Sequence, residues 1–333
     1  MASHALSYPP SDELHKGAKV EKEVLIFFIT GNPGLILYYE PFLSTLRKLI
    51  DDSPSLKTTR FHIYGQNLAG FSDDDHEPFT AQRKPHDLEY QITHTLEVLK
   101  KQRVESGPHK GLPYDNVLLM GHSVGTYIAL EICHRVLHNP ELAPDLNLSS
   151  GILLFPTIRH IAKSQSGWKL DLLRRTPVLG DNAYRVAQGF LHILPRNLLY
   201  WIVHRLQGFT PQGAEITTRW LKSRDGVWQT LHMGMDEMEV IGEDKWDDEL
   251  WEIAHDAEDH HKPIPKFFFF FGKNDHWVAN HYRDEFIQER TKQVERTRLV
   301  VDEGNLPHTF CINHSETVAE KANAWIHEMY GDN

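Results

Sequence analysis

The sequence predicts an α/β protein: a mostly parallel central sheet flanked by helices, interrupted by one large helical insertion. Three observations lead there. Short apolar runs bounded by turn residues recur along the 333 residues, several without the polar alternation of a half-solvated strand, so helices must cover both their faces. Between the runs, apolar residues recur three or four apart, the spacing of a helix that buries one stripe. One long stretch then breaks the rhythm. Strand–helix alternation of this kind selects parallel strands joined by right-handed crossovers.

In chain order, residues 1–22 are polar and lack an apolar h-region, so they read as a tail ahead of the first strand and not as a secretion signal. Strands are expected at 24–29 and 61–64, separated by a helix over 38–50 that aligns Phe42, Leu43, Leu46 and Ile50. A helix over 86–101 carries Leu88, Ile92, Leu96 and Leu99, and strands follow at 117–120 and 151–155. Residues 157–264 are mostly helical in pattern and rich in Trp and Met; a connection this long inside a compact sheet is usually functional, so it is read as a cap. After it, the phenylalanines at 267–271 predict a central strand and 298–301 the last one. The expected organisation is a core over 23–156 and 265–330 with the cap over 157–264.

Composition removes several classes of function. Hydrophobic residues at 40% and charged residues at 24% exclude disorder and fibrous repeats. A net charge of -11 argues against nucleic acid as a partner, because such binders cluster positive charge. Two cysteines, Cys133 and Cys311, are too few for a disulfide scaffold and lack metal-ligand spacing, which fits a reducing, intracellular setting. His255, His260 and His261 stand among acidic residues but form no H-E-x-x-H, so they read as a solvated helix end and no metal or other cofactor is expected.

The chemistry concentrates at Gly121-His122-Ser123-Val124-Gly125, a G-x-S-x-G turn between an apolar strand and a helical pattern. The turn is so tight that side chains two before and two after the serine would collide with neighbouring strand and helix. Ser123 is therefore expected to be the nucleophile, with Gly121, His122 and Gly125 forming its elbow. A serine hydroxyl needs a base, and the base an orienting carboxylate. In this strand–turn–helix context they follow in the order acid, then histidine. Asp275 follows the phenylalanine strand and His308 follows the last strand; His276, Asp302 and His314 are competitors. The developing oxyanion needs backbone donors, expected from the N–H of Val124 and from Asn32 in the loop after the first strand, since Pro33 has no N–H.

At these residues the chain resembles the lipid droplet-associated hydrolases, a branch of the α/β-hydrolase fold. The matching pieces are Ile29-Thr30-Gly31-Asn32-Pro33-Gly34 with Tyr39 and Pro41-Phe42, Leu88 with Gln91 and His94, and the elbow with Tyr127-Ile128. Further on they are Leu154-Phe155-Pro156-Thr157-Ile158 with Ala162 and Ser164, then Asp275 and Pro307-His308-Thr309-Phe310. Where the family often has a proline shortly after the acid, Val278-Ala279 stands here. The resemblance implies a serine hydrolase of lipid esters, sterol or neutral lipid, that uses Ser123, Asp275 and His308. It also implies a lipid-droplet location with cytosolic and endoplasmic reticulum pools. The alternatives are a droplet-surface binding or shaping protein with weak esterase activity, and a soluble carboxylesterase.

Residues 186–206 are the most apolar stretch, broken at Pro195-Arg196-Asn197, and too interrupted to span a bilayer. Two readings stand side by side. The halves could dip as a hairpin into a phospholipid monolayer through Phe190, Leu191, Leu198, Leu199 and Trp201, or they could roof a pocket.

Overall fold

The computed structural model describes residues 4–11, 20–246, 250, 265–291 and 297–331. Its strands are β1 (Ala5–Tyr8), β2 (Lys22–Ile29), β3 (Thr59–Gln66), β4 (Asn116–His122), β5 (Leu148–Leu154), β6 (Lys266–Phe271) and β7 (Arg298–Val301). They form one sheet in the order β1-β3-β2-β4-β5-β6-β7. Every pairing is parallel except that of β1 with β3. The helices are α1 (Glu40–Asp51), α2 (Leu88–Lys100), α3 (Val124–His138), α4 (Gly167–Arg174), α5 (Pro177–Ile193), α6 (Arg196–Trp201), α7 (Pro211–Leu221), α8 (Gly226–Val240), α9 (Asn280–Thr291), α10 (Phe310–Asn313) and α11 (Ser315–Tyr330).

Strand β6 shows why the apolar runs lack alternation. Phe267, Phe269 and Phe271 pack into a cluster with Ile92 of α2 and Ile132 of α3, while Phe268 and Phe270 enter the opposite cluster with Phe42 of α1 and Trp325 of α11. Neither face meets water, so both sets of rings must be apolar. β2 divides in the same way, with Leu25, Phe27 and Ile29 on one side and Val24, Ile26 and Phe28 on the other.

β1 lies within the stretch read as a polar tail, ahead of the strand expected to be the first. Leu6 and Tyr8 alternate with Ser7, so four residues suffice to pack two apolar side chains on the α1 side while the Ser7 hydroxyl sits 2.8 Å from His62 Nε2 on the other. Four residues are too few for period-two alternation to stand out in a sequence.

The insertion between β5 and β6, read from the sequence as a cap, supplies α4 to α8. Helix α8 is fastened to the core by side chains. The Gln229 amide exchanges hydrogen bonds of 2.8 and 2.7 Å with the main chain of His86, and Asp236 accepts the Leu88 N–H at the start of α2 over 2.8 Å. The break between α5 and α6 falls at Leu194-Pro195, where Lys222 donates its ammonium protons to the carbonyls of Leu191 and Leu194. No described helix is long and apolar enough to cross a membrane. His255, His260 and His261 lie outside the described residues.

Candidate active site

The tight turn at Ser123 follows from sterics. Ser123 sits at φ 55°, a region that non-glycine residues seldom occupy, at the tight junction of β4 and α3. A Cβ on Gly121 would come within 2.5 Å of the Gly125 carbonyl oxygen, and one on Gly125 within 2.3 Å of the Ile29 carbonyl oxygen in β2. Only glycine fits at either place.

Ser123, His308 and Asp275 come together at the C-terminal ends of β4, β7 and β6. His308 Nε2 lies 2.9 Å from Ser123 Oγ, and His308 Nδ1 lies 2.6 Å from Asp275 Oδ2. An ionised carboxylate only accepts, so Nδ1 carries the proton and donates it, leaving Nε2 to accept from the serine hydroxyl. The other Asp275 oxygen accepts the Trp277 N–H over 2.8 Å. Burial would raise the Asp275 carboxyl, but the His308 ring and the Trp277 N–H outweigh it and hold it below the ordinary carboxylate range.

The competitors do other work. Asp302 accepts the N–H groups of Gly304 and Leu306, shaping the loop before His308. The His276 ring is half exposed and stands 3.8 Å from Asp275 on its solvent side. His314 precedes α11 and bonds through its own N–H to Phe310.

Val124 opens α3, so its N–H has no intrahelical acceptor. Asn32 flanks the site from the loop after β2. Its Nδ2 donates to the Thr230 carbonyl over 3.1 Å and to Glu237 Oε1 over 3.0 Å, both on cap helix α8. Neighbouring Gly31 donates its N–H to the Tyr39 hydroxyl, which lies 2.7 Å from His122 Nδ1.

A cavity of about 680 Å³ opens above Ser123 and His308. Apolar cap side chains such as Leu170, Trp220, Leu231 and Met238 wall it, and Asn32, Lys169 and Glu237 supply polar points. Glu237 is only 7% exposed, and burial raises its carboxyl to about 8. Sequence reasoning passed over this residue. Its signal was there, since Gln229, Met233 and Glu237 share the buried, four-residue-spaced face of α8.

Of the residues expected at a lipid surface, Phe190, Leu198 and Trp201 are exposed and Leu191 is half-buried. Leu199 is a correction: it is 4% exposed, because the inner face of α6 packs on α7. The cavity takes no described side chain from 186–206, so the roofing alternative is not what the lining shows.

The sequence profile of the lipid-droplet associated hydrolases matches residues 22–311. The chain belongs to this family. Among its curated relatives, the lipid droplet-associated hydrolase of Mus musculus is 26% identical, over 91% of this chain and 84% of the relative. The Homo sapiens protein of the same name is 25% identical, over 94% and 87%. That of Dictyostelium discoideum is 23% identical, over 94% and 90%. Among solved structures, the peroxisomal alpha-beta-hydrolase Lpx1 from Saccharomyces cerevisiae superposes with a TM-score of 0.60 at 14% identity, covering 97% of this chain and 81% of that one. The epoxide hydrolase VrEH1 from Vigna radiata gives 0.57 at 12% identity, covering 93% of each. These lipid-droplet associated hydrolase and α/β-hydrolase matches agree with the fold that the strand–turn–helix reading predicts.

Proposed function

We propose that this family member is a serine ester hydrolase that acts on lipid esters at a lipid-droplet surface. One observation carries the reading: the unbroken Ser123–His308–Asp275 hydrogen-bond chain at the floor of an apolar cavity large enough for a lipid tail. Ser123 Oγ attacks the ester carbonyl while His308 Nε2 takes its proton, and Asp275 stabilises the resulting imidazolium. The carbonyl oxygen, now negative, is held by the N–H groups of Val124 and Asn32, with the α3 dipole assisting. His308 then protonates the departing alcohol, and water repeats the sequence to release the acid from the acyl-enzyme.

The surface part of the reading rests on the exposed face of α5 and α6. Phe190 is 65% exposed and Ile193 81%, beside Trp201 and Leu206. Arg185, Arg196 and Arg205, within or beside the same stretch of sequence, are exposed as well and offer positive charge to phosphate head groups. The same face supports a second reading, a droplet-binding protein with weak ester turnover.

Labelling of the pure protein by a fluorophosphonate, with Ser123→Ala as control, tests the first reading. Labelling only when Ser123 is present, followed by turnover on a panel of emulsified lipid esters, supports it. A folded wild-type protein that neither labels nor turns over any ester overturns it in favour of the second.

A further inference from the structure

We infer that Glu237, from the cap, is a positioning residue for the oxyanion loop: it holds the Asn32 side chain so that the Asn32 main-chain N–H faces the reacting carbonyl. The inference rests on the serine hydrolase reading above. Asn32 and Glu237 are far apart in sequence and belong to different layers, one to the core loop after β2 and one to the inner face of α8. Both protons of the Asn32 amide are used across that gap, one on the Thr230 carbonyl and one on Glu237 Oε1. The carbonyl can only accept, which fixes the amide's orientation and leaves Glu237 as its second acceptor. With both protons committed, the side chain cannot rotate about its χ angles, and the residue's own N–H is aimed by a cap that must be docked.

The surroundings suit a carboxyl that accepts without being ionised. Burial, aided by Asp236 on the same helix, raises Glu237 to about 8, while the Asn32 amide pulls it down. Lys169 of α4 lines the same cavity, but no described cation pairs with the Glu237 carboxyl. A neutral acid keeps a carbonyl oxygen for Asn32 and adds no negative charge near the developing oxyanion, where a carboxylate would oppose the chemistry. Gly234, one turn earlier on α8, completes the approach: a Cβ there would stand 3.4 Å from Asn32 Nδ2 and 3.0 Å from Leu170 Cδ2. Glu237 thus acts on the oxyanion geometry through Asn32.

The test uses an alkyl trifluoromethyl ketone, which forms a tetrahedral adduct with an activated serine, and the chain-matched secondary alcohol, which fills the cavity without one. Glu237→Leu is expected to weaken the ketone by about 10-fold or more relative to the alcohol, whose Kd reports any change in the cavity wall itself, and to lower kcat in step. Glu237→Gln, which keeps an acceptor oxygen, is expected to recover most of the loss. In an Asn32→Ala background, which removes the held side chain but keeps the main-chain N–H, Glu237→Leu should add nothing. Equal weakening of ketone and alcohol, failure of Glu237→Gln to recover, or an undiminished Glu237→Leu effect on Asn32→Ala would each overturn the inference. If Glu237→Leu does not fold, the Asn32→Ala and Glu237→Gln arms decide alone, since the first must lose ketone selectively and the second must not. A folded wild-type protein that forms no ketone adduct overturns the hydrolase reading itself.

Discussion

The Nε2–H of His122 donates to the main-chain carbonyl of His308 over 2.9 Å. A carbonyl only accepts, so this bond fixes the tautomer of His122 and makes its Nδ1 an acceptor for the Tyr39 hydroxyl. That hydroxyl in turn accepts the Gly31 N–H over 3.1 Å. Burial and the neighbouring His308 ring lower His122 to about 3, so the ring stays neutral and the chain of bonds persists through the working pH range. The loop after β2, the turn at Ser123 and the loop that carries His308 are therefore one hydrogen-bonded unit.

Tyr39→Phe removes the link between the Gly31 N–H and His122 Nδ1 at once. The Tyr39 ring is almost fully buried and both groups lose their partner with its hydroxyl, so the variant should lose about 1–3 kcal/mol of stability. The urea midpoint, with an unchanged m-value, measures this; an unmoved midpoint would show that the unit is not cooperative.

Asp275→Asn should cost roughly 10⁴-fold in kcat, because an amide placed beside Nδ1 favours the tautomer with its proton on Nε2, facing the serine. The fold should persist, checked by circular dichroism alongside p-nitrophenyl ester kinetics. Retained turnover would mean that His308 takes its orientation from elsewhere.

Ser123 occupies a backbone region that glycine adopts freely. Ser123→Gly should therefore be more stable than Ser123→Ala by about 1 kcal/mol although both are inactive. Paired thermal melts decide it.

Stability should also carry the mark of Glu237. Its folded-state value near 8 lies above its ordinary value of 4.5, so the stability it contributes is full below pH 4.5 and is lost as pH rises toward 8. The slope from this one group is at most about 1.4 kcal/mol per pH unit. Glu237→Gln, which cannot titrate, should flatten that part of the profile, and urea unfolding at pH 5, 6.5 and 8 would show whether it does.

On the proposed lipid face, replacing Ile193 and Trp201 together by aspartate should abolish binding to phospholipid-coated triacylglycerol droplets in a flotation assay. Turnover of a short soluble ester should stay within about twofold, since neither residue lines the cavity. Parallel loss of both would place this face in folding and not in surface contact.

The legibility of the chain follows its physics. Strands such as β2 and β6 were plain because burial on both faces forces uninterrupted apolar runs, and the elbow was plain because sterics admit only glycine at Gly121 and Gly125. Asp275 and His308 could be ordered along the chain because each follows a readable strand. What the sequence hid depends on contacts between distant segments. Nothing local marks β1 as a partner for β3, or Leu199 as inward-facing on a stretch with apolar residues on both sides. The Asn32–Glu237 pair is a further case, since it exists only when the cap is docked on the core.

Strand β6 carries one more consequence. A run of five phenylalanines is a segment that, loose in solution, would stack with copies of itself into paired sheets. Lys266 and Lys273 flank it, and Pro263 and Pro265 stand just before it, charges and rings that hinder such stacking. Once heated open, the chain should clump before it can re-form, so a second calorimetric scan should show no transition; the folded sheet is also the place where five hazardous rings are kept out of circulation.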